Sequence, residues 1–463
     1  MSAALAELRS LFGDAQVLSG SEALPFERDW RGQFPGHALA VLRPRSVDEV
    51  QAMLRHACSR RLAVVPQGGN TGLVGGSTPD DSGTELVLSL RRLNRVRRID
   101  AVNRTLCAEA GCVLADLQAA CAAEDLLLPL SMASEGSCTL GGNLATNAGG
   151  TQVLRWGNAR DLCLGLEVVS ADGELWQDLD GLRKDRRGLN LRDLFIGSEG
   201  LLGVITAAVM KLDGLPRSRL VAWLGLPDMK AVYGLLMLAR QRLGPELSGF
   251  ELMGEAVQRL LSGLPLPAAP WAVLLELSSV DDEAVARARM EALLLQAQQQ
   301  IGCHDAVLSQ STAQFRALWA LREAIPQAQT RAGGNLKHDI SLPIDEVAGF
   351  VAHSETELRR LYPGVRPMVF GHLGDGNLHY NVAPPTGMPL AQFLDEPGRA
   401  ISRWLLDAVR RHGGSFSAEH GIGRLRREEL ARQGDPVGLA LMRRLKQALD
   451  PAHVLNPGRM LLD

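Results

Sequence analysis

Two glycine-rich stretches in the first third of the chain constrain its fold more than any other feature of the sequence. They lie at residues 66–77 and 134–150, and each contains five glycines. Glycine lets the backbone turn sharply and approach a ligand closely, so that a nest of N–H groups can bind phosphate. For either stretch alone, the alternative is a surface loop that binds no ligand. Two such loops in one domain suit a single diphosphate held from two sides.

The elements around the first loop argue against two common classes of nucleotide-binding protein. An apolar run at 38–42 predicts a strand, and Ser46 with Glu49 forms a capping box that predicts a helix. A strand precedes the glycine loop and another, at 86–90, follows it. The loop therefore does not open a helix as a Gly-x-Gly-x-x-Gly turn does, and it lacks the Gly-Lys-Ser/Thr of a Walker A motif. This disfavours a Rossmann dehydrogenase and a nucleotide-dependent kinase.

The composition is that of an ordinary globular protein. The 49 basic and 52 acidic residues give a net charge of -3 without long blocks of one sign, which argues against nucleic-acid binding. No apolar run approaches the roughly 18 residues of a membrane-spanning helix. The first residues lack the pattern of a secretory leader, so we expect a cytoplasmic protein. The seven cysteines include no Cys-x-x-Cys pair, which argues against disulfides or a cysteine metal cluster.

The pattern of predicted strands and helices changes at a segment near residue 213 that contains glycine and proline. Before it, short strands alternate with single helices, strands at 165–170 and 174–178 are predicted to form a hairpin, and the domain closes near 195–213. After it, longer helices, at 281–300 and 312–332, alternate with isolated strands. We therefore predict an α+β fold with a domain 1–213, a domain 214–410 and a C-terminal segment 411–463.

Two histidines differ from the rest in their surroundings. His372 and His379 bracket a turn-rich segment that can fold back and bring both imidazoles to one point. With Glu419 they supply two imidazoles and one carboxylate, a set that leaves positions open on zinc or manganese. A purely structural hairpin is the alternative, and spacing does not decide between them. Seven histidines are interpreted as structural: residues 37, 56, 304, 338, 353, 412 and 453.

Several separated motifs together resemble the FAD-dependent D-2-hydroxy acid dehydrogenases, vanillyl-alcohol oxidase-type flavoproteins that include D-lactate and D-2-hydroxyglutarate dehydrogenases. The motifs are residues 66–76, 136–143, 197–206, His372 and the pair Glu419-His420. The resemblance spans nearly the whole chain. It implies a two-lobed p-cresol-methylhydroxylase-type FAD-binding domain in 1–213, onto which 411–463 packs back, and an α+β substrate-binding domain in 214–410.

The resemblance also implies which residues contact FAD. They belong to both glycine loops, to the region around Ile205 and to the C-terminal segment: Pro66, Gly68, Gly69, Asn70, Thr71, Gly72, Leu73, Ser131, Ser134, Gly136, Ser137, Gly141, Gly142, Asn143, Thr146, Asn147, Gly150, Gly203, Val204, Ile205 and Asn456. Some relatives link the flavin covalently to a histidine of the first loop. Residues 66–77 contain no histidine, so we expect noncovalent FAD.

The matching positions in this family ligate a divalent metal, so the resemblance favours a zinc or manganese site at His372, His379 and Glu419. His420 is the candidate catalytic base and a substrate contact, because the glycines after it allow the backbone close to a substrate. Oxidising an alcohol removes the hydroxyl proton as hydride leaves the adjacent carbon. Histidine accepts a proton near neutral pH.

Arg322, Lys337 and Asn381 match substrate-contacting positions of the D-2-hydroxyglutarate branch. Two cations besides a metal suggest a substrate with two carboxylates, which favours D-2-hydroxyglutarate. Without the resemblance, Arg322 would be interpreted as pairing with Glu323 or solvent. Pro326 argues against the dicarboxylate, because relatives place a hydroxyl-bearing residue there and proline has no such donor. D-Lactate, D-malate and glycolate are the alternative substrates.

Two other functional classes stay open. An oxidase would pass electrons to oxygen and release hydrogen peroxide, and a flavin-binding subunit of a larger complex would lack activity alone. The sequence does not identify the electron acceptor, for which an electron-transferring flavoprotein is one candidate. Transient redox contacts are small and leave no pattern in a sequence. A homodimer is equally open.

Overall fold

The computed structural model describes residues 3–263, 266–267, 269–303 and 305–462, so that His304 lies outside the described residues. The chain forms two compact units. The first contains the described parts of 1–148, 158–214 and 420–463, and the second contains those of 149–157 and 215–419. Each unit combines sheets with helices, so the predicted α+β class is confirmed.

Strands and helices are interspersed along the whole chain. The strands are β1 (Val17–Leu18), β2 (Ala38–Leu42), β3 (Val64–Gln67), β4 (Glu85–Ser89), β5 (Val96–Asp100), β6 (Thr105–Glu109), β7 (Leu126–Leu127), β8 (Cys163–Val169), β9 (Leu175–Asp178), β10 (Val204–Lys211), β11 (Asp213–Gly214), β12 (Ser218–Leu226), β13 (Leu247–Gly254), β14 (Trp271–Ser279), β15 (Asp305–Leu308), β16 (Asp339–Ser341), β17 (Arg366–His372) and β18 (Asn377–Ala383). The helices are α1 (Ala3–Phe12), α2 (Val47–Arg60), α3 (Leu114–Ala122), α4 (Leu140–Ala145), α5 (Val153–Trp156), α6 (Ala159–Leu162), α7 (Arg192–Phe195), α8 (Met229–Leu243), α9 (Glu255–Gln258), α10 (Glu283–Ile301), α11 (Thr312–Glu323), α12 (Ile325–Arg331), α13 (Val347–Leu361), α14 (Leu390–Leu394), α15 (Glu396–Arg411), α16 (Arg427–Gln433) and α17 (Pro436–Leu449). Within the described residues, no helix is long and apolar enough to cross a membrane.

A mixed four-stranded sheet in the first unit, in the order β1-β2-β4-β3, carries the first glycine loop. β2, β4 and β3 run parallel, and the loop begins where β3 ends at Gln67. α2 joins β2 to β3, and the Ser46 hydroxyl caps it by accepting the N–H of Glu49 (3.3 Å). The Glu49 carboxylate accepts the N–H of Arg45, so only half of the predicted capping box forms. The strand-helix-strand order before the loop is confirmed.

An antiparallel five-stranded sheet, in the order β5-β6-β10-β8-β9, forms the other lobe of the first unit. β10 lies at its centre and is buried along nearly its whole length. β8 and β9 pair as the predicted hairpin. α4 lies inside the second glycine-rich stretch and packs against β10. Each glycine loop is therefore attached to a different sheet of the unit.

The C-terminal segment completes the first unit. Leu455 forms a parallel bridge to Val64 of β3. The buried Lys446 ammonium of α17 donates to the carbonyl oxygens of Leu201 (3.0 Å) and Leu455 (2.6 Å), and it pairs with Asp450 (2.5 Å). A buried ammonium is costly without such acceptors, so these bonds hold the segment on the unit.

The second unit is built on one seven-stranded antiparallel sheet, in the order β15-β12-β14-β13-β17-β18-β16. Both faces of this sheet are covered. Along β12, Leu220, Ala222 and Leu224 pack into one apolar core, and Val221 and Trp223 pack into another. Side chains alternate between the faces of a strand, so a continuous apolar strand needs a layer on each face. β13, β17 and β18 are neighbours in this sheet.

Two unit boundaries differ from the predicted ones. The return to the first unit begins at His420 rather than at 411, because Ser341 and Ser415 exchange backbone hydrogen bonds (3.0 and 2.8 Å) within the second unit. Residues 149–157 belong to the second unit, where α5 packs against β13. The local sequence does not indicate that residues 149–157 and 411–419 belong to the second unit, because both assignments depend on contacts with distant strands.

The helix predicted over 312–332 is interrupted. α11 ends at Glu323 and α12 begins at Ile325, with Pro326 in its first turn. Proline has no N–H and clashes with the preceding turn inside a helix, but a first turn accepts it. The prediction of one continuous helix was therefore wrong, and the proline marks the place of the break.

Candidate functional site

The two glycine loops line one cleft in the first unit, as the sequence predicts for two nests that serve one ligand. The predicted FAD contacts that line it are Pro66, Gly68, Gly69, Asn70, Thr71, Gly72, Gly141, Gly142, Asn143, Thr146, Gly203, Val204 and Ile205. Seven other predicted FAD contacts belong to the first unit but do not line the cleft: Leu73, Ser131, Ser134, Gly136, Ser137, Asn147 and Asn456. The remaining predicted contact, Gly150, belongs to the second unit. The candidate base His420 also lines the cleft.

Close packing explains several of the glycines in this cleft. A β-carbon on Gly68 would lie 2.4 Å from the hydroxyl oxygen of Thr139, and one on Gly141 would lie 2.6 Å from the β-carbon of Ala110. Both distances are too short for any side chain. The glycines therefore let the two loops touch each other and the sheet behind them, in addition to exposing backbone N–H groups.

The residues of the cleft fit a diphosphate-containing cofactor such as FAD. The Thr139 hydroxyl lies in the lining, is buried and makes no hydrogen bond with any described residue. A buried polar group without a partner costs about 1–3 kcal/mol, which a ligand can relieve. Gly142 is close to this hydroxyl, since a β-carbon added to it would lie 3.3 Å from the Thr139 oxygen.

Glu199 is a residue of the cleft that sequence reasoning missed. Its backbone is left-handed (φ 52°), which is uncommon for a residue other than glycine. Its carboxylate accepts the N–H groups of Ile422 (2.7 Å) and Gly423 (2.8 Å), just after His420. Burial raises the pKa of Glu199 above its ordinary value, and those two hydrogen bonds partly oppose the rise. The glycines on both sides of Ser198-Glu199 were the available signal.

His372, His379 and Glu419 come together in the second unit. β17 ends at His372, β18 carries His379, and the two strands form a hairpin in which the ring centroids are 5.7 Å apart. The potential ligand atoms of the three residues all lie within 4.8 Å of one another. Zinc binds such nitrogen and oxygen atoms at about 2.0–2.2 Å, so the set fits a divalent metal. The segment from His372 to His379 is therefore part of a β-hairpin, and this hairpin also places both imidazoles beside Glu419.

The protonation of this cluster follows from burial and from the charges beside it. Burial lowers the pKa of His379 to about 4, so its ring is neutral at pH 7. Burial also lowers the pKa of His372, but Glu251 and Glu419 raise it to about 10. For Glu419 burial opposes ionisation, yet the hydrogen bond and charge of His372 hold its pKa below the ordinary value. The carboxylate and one neutral imidazole are ready to ligate.

The backbone of Glu419 is held by a buried aspartate. Asp339 of β16 accepts the N–H of Glu419 through Oδ2 (2.9 Å) and the side-chain N–H of Asn377 through Oδ1 (2.9 Å). Nδ1 of His379 is 3.8 Å from Oδ1 of the same aspartate. Asp339 thus fixes the last residue of the second unit beside the hairpin.

Glu251 is a second residue that sequence reasoning missed. It lies on β13, directly opposite His372 of β17, and is 0% exposed. Its Oε1 is 2.6 Å from Nδ1 of His372, and its Oε2 accepts the Nε–H of Arg322 (2.8 Å). Burial alone would raise the pKa of Glu251, but the positive charges of His372 and Arg322 lower it to about 2. No spacing in the sequence signals a contact that depends on strand register.

Arg322 occupies a buried position at the end of α11. Its observed partner is Glu251, 71 residues away in the chain, and its guanidinium stacks over the ring of Phe370 at 4.9 Å. The positive charge of Arg322 is therefore balanced within the protein. Of the two cations that favoured a substrate with two carboxylates, Arg322 therefore does not need a substrate carboxylate to balance its charge.

The other two predicted substrate contacts differ in exposure. Asn381 of β18 is buried, where its side chain donates to Oε1 of Gln329 (2.9 Å) and accepts the N–H of His338 (3.2 Å). Lys337 is exposed. Both lie in the second unit with Arg322 and the three candidate metal ligands, whereas His420 belongs to the first.

Two family patterns together cover most of the chain. Residues 215–460 match FAD linked oxidases, C-terminal domain, and residues 38–178 match FAD binding domain. The chain is 39% identical over 464 residues to D-2-hydroxyglutarate dehydrogenase, mitochondrial, of Bos taurus, covering 99% of this chain and 83% of that one. It is 38% identical over 467 residues to D-2-hydroxyglutarate dehydrogenase of Xanthomonas citri pv. viticola, covering 96% and 97%. The probable D-2-hydroxyglutarate dehydrogenase, mitochondrial, of Oryza sativa subsp. japonica is 36% identical over 463 residues, covering 98% and 80%.

Solved structures with the same fold have much lower sequence identity. p-Cresol methylhydroxylase with substrate bound has a TM-score of 0.76 at 17% identity, covering 99% of this chain and 96% of that one. Alkyldihydroxyacetonephosphate synthase has a TM-score of 0.75 at 17% identity, covering 99% and 85%. At such identity the likeness concerns the fold alone, and it confirms the predicted p-cresol-methylhydroxylase-type architecture.

Proposed function

This chain belongs to the FAD-linked oxidases, in the group of FAD-dependent D-2-hydroxy acid dehydrogenases, and on that basis we propose that it oxidises D-2-hydroxyglutarate to 2-oxoglutarate. The observation that carries the proposal is the identity of 36–39% to D-2-hydroxyglutarate dehydrogenases of plants, animals and bacteria over nearly the full length. A likeness that extends through both family domains includes the substrate-binding part as well as the flavin-binding part.

The glycine cleft of the first unit would hold the FAD. The backbone N–H groups of Gly68, Gly69 and Gly142 would bind its pyrophosphate, with the Thr139 hydroxyl beside them. Bound FAD supplies the acceptor for the hydride that leaves C2 of the substrate. The first loop has no histidine, which supports noncovalent binding.

His372, His379 and Glu419 would hold a divalent metal, zinc or manganese. The support is their convergence within 4.8 Å and a donor set of two imidazoles and one carboxylate. A metal there would polarise the 2-hydroxyl group of the substrate. The neutral ring of His379 and the ionised Glu419 are the forms that such ligation needs, whereas His372, with a pKa of about 10, would release its Nε2 proton on binding the metal.

His420 would act as the catalytic base. The oxidation removes one hydride from C2 and one proton from the 2-hydroxyl, and the imidazole of His420 would take the proton. Glu199 supports this role, because its carboxylate anchors the backbone of Ile422 and Gly423 immediately after the histidine. Lys337 and Asn381 would contact the carboxylates of the substrate.

D-Lactate is the second candidate substrate. It is favoured by two observations in the second unit: Pro326 has no side-chain donor, and Glu251 already balances the charge of Arg322. A substrate with one carboxylate needs fewer positively charged side chains to balance its charge. D-Malate and glycolate are further candidates.

The electron acceptor, the assembly and the location belong to the same proposal. We expect an electron-transferring flavoprotein to reoxidise the enzyme, whereas an oxidase would form hydrogen peroxide with each turnover. A homodimer and a cytoplasmic location stay predictions. Peroxide measured during turnover separates dehydrogenase from oxidase, and activity of the isolated chain with an artificial acceptor excludes a purely flavin-binding role.

Anaerobic bleaching of the bound flavin tests the proposal directly. The purified protein is mixed with D-2-hydroxyglutarate, its L-enantiomer or D-lactate, each with and without a chelator. We expect rapid bleaching by the D-dicarboxylate, loss of bleaching with the chelator, and recovery with added zinc or manganese. Faster bleaching by D-lactate would contradict the substrate, and bleaching unaffected by the chelator would contradict the metal.

A further inference from the structure

We propose that Glu251 is a positioning residue that orients a metal ligand and Arg322 at the same time. It is buried, with 1% of its side chain exposed to solvent. Both of its oxygens are engaged, Oε1 with Nδ1 of His372 (2.6 Å) and Oε2 with Arg322 (2.8 Å to Nε, 2.7 Å to Nη2). The inference rests on the proposed function only in that His372 binds a metal.

The first effect of Glu251 is on the ring of His372. A hydrogen bond between Nδ1–H and a carboxylate leaves Nε2 as the ligating nitrogen and sets the ring plane. Nε2 is 3.3 Å from Oε1 of Glu419, so the ring already points toward the other candidate ligands. Strand pairing supports this arrangement, because Glu251 and His372 are direct partners of β13 and β17. The sheet therefore fixes the carboxylate before any ligand binds.

The second effect of Glu251 is on the guanidinium of Arg322. Oε2 accepts the Nε–H and lies 2.7 Å from Nη2 as an ion-pair contact, and the ring of Phe370 supports the face of the guanidinium at 4.9 Å. A guanidinium held along one edge and one face has little rotational freedom. The same carboxylate therefore determines the direction of a metal ligand and of a candidate substrate contact.

A matched control exists in the same sheet. Glu276 of β14 is also buried, and its Oε1 pairs with Arg219 (3.2 Å to Nε, 2.9 Å to Nη2), whose guanidinium stacks over Phe315 at 4.7 Å. Its other side-chain hydrogen bonds come from the hydroxyls of Ser248 and Ser278 (both 2.9 Å). Glu276→Gln therefore removes a buried carboxylate from an arginine ion pair of the same sheet without touching a candidate metal ligand, although Arg219 is 43% exposed and Arg322 only 8%.

Metal affinity measured by chelator competition tests the inference without activity. Glu251→Gln and Glu276→Gln are prepared metal-free, and zinc and manganese are titrated into each in the absence of substrate. Loss of a carboxylate that supports a ligating histidine costs roughly 10–100-fold in metal affinity. We expect such a loss for Glu251→Gln, less than a threefold change for Glu276→Gln, and partial recovery with Glu251→Asp. Denaturant unfolding in chelator monitors stability.

Three outcomes would overturn the inference. Wild-type affinity in Glu251→Gln would show that the carboxylate does not position His372, and an equal loss in Glu276→Gln would reduce the effect to general destabilisation. Wild-type protein that binds neither metal more tightly than His379→Ala would remove the metal site and the inference together. In that last case, flavin bleaching by D-2-hydroxyglutarate in the same preparation would leave the proposed oxidation standing, whereas its absence would contradict that as well.

Discussion

A β-carbon added to Gly69 would lie 2.2 Å from the carbonyl oxygen of Ser137, so the two glycine loops touch at a place where no side chain fits. The α-carbon of Cys138 would be only 2.9 Å from the same added atom. The backbone of one loop is therefore the packing surface of the other. The cleft between the loops keeps its form only while this contact is made.

Gly69→Ala should separate the loops and weaken flavin binding. Overpacking of this kind costs typically about 1–3 kcal/mol of unfolding free energy, because the obstructing atoms are backbone. The measurements are denaturant unfolding of the apoprotein and the fraction of flavin retained on purification. Gly188→Ala is the control, since nothing lies within 4 Å of an added β-carbon there. Equal behaviour of the two variants would contradict the contact.

Acid precipitation should release all of the flavin. The first loop has no histidine at residues 66–77, so it lacks the side chain to which some relatives attach the flavin covalently. The flavin absorbance of the supernatant, compared with that of the native protein, gives the released fraction. Flavin fluorescence on the washed, denatured polypeptide would show a covalent bond elsewhere.

His420→Asn should slow anaerobic flavin reduction and leave the flavin bound. General base catalysis by a positioned side chain contributes about 10²–10⁴-fold, and the amide cannot accept the proton. Stopped-flow bleaching at saturating substrate measures the step. His453→Asn is the control in the same unit, because this exposed histidine bonds to Gln447 (2.9 Å). A loss of less than tenfold for His420→Asn would assign the base elsewhere.

Arg322→Ala should destabilise the second unit. Glu251 would keep its buried charge without its arginine, and removal of one partner of a buried pair costs about 3–5 kcal/mol. Adding Glu251→Gln should recover part of the loss, which denaturant unfolding of the single and double variants measures.

The same Arg322→Ala variant should raise KM for D-2-hydroxyglutarate far more than for D-lactate. This follows if the guanidinium contacts the second carboxylate of the substrate. Equal increases for the two substrates would instead assign Arg322 to the support of Glu251 alone.

The thiols should react slowly in the native protein. All seven cysteines are free, and burial raises their pKa values, to about 11 for Cys112 and Cys121 and about 12 for Cys163. Thiolate is the reactive form, so little of it exists at pH 8. Labelling with a thiol reagent should be slow before and complete after denaturation. Fast native labelling of the buried cysteines would contradict the packing described.

Predictions that depended on neighbouring residues succeeded. The helix cap at Ser46, the β8–β9 hairpin and the hairpin carrying His372 and His379 are all formed by residues close together in sequence. Their turns and periodicities are visible in a short window. The prediction of one continuous helix over 312–332 was wrong, because it followed the spacing of apolar residues and did not place a break at Pro326.

The sequence by itself determined which segments turn, which faces are apolar and which residue types could bind a diphosphate or a metal, because these depend on local backbone freedom and side-chain chemistry. Tertiary structure alone decided the partners of buried charges. Glu251 meets His372 through strand register, and Glu199 meets the backbone after His420 across more than two hundred residues. Burial makes each unpaired charge costly, so the folded chain must bring together groups whose separation in sequence carries no signal.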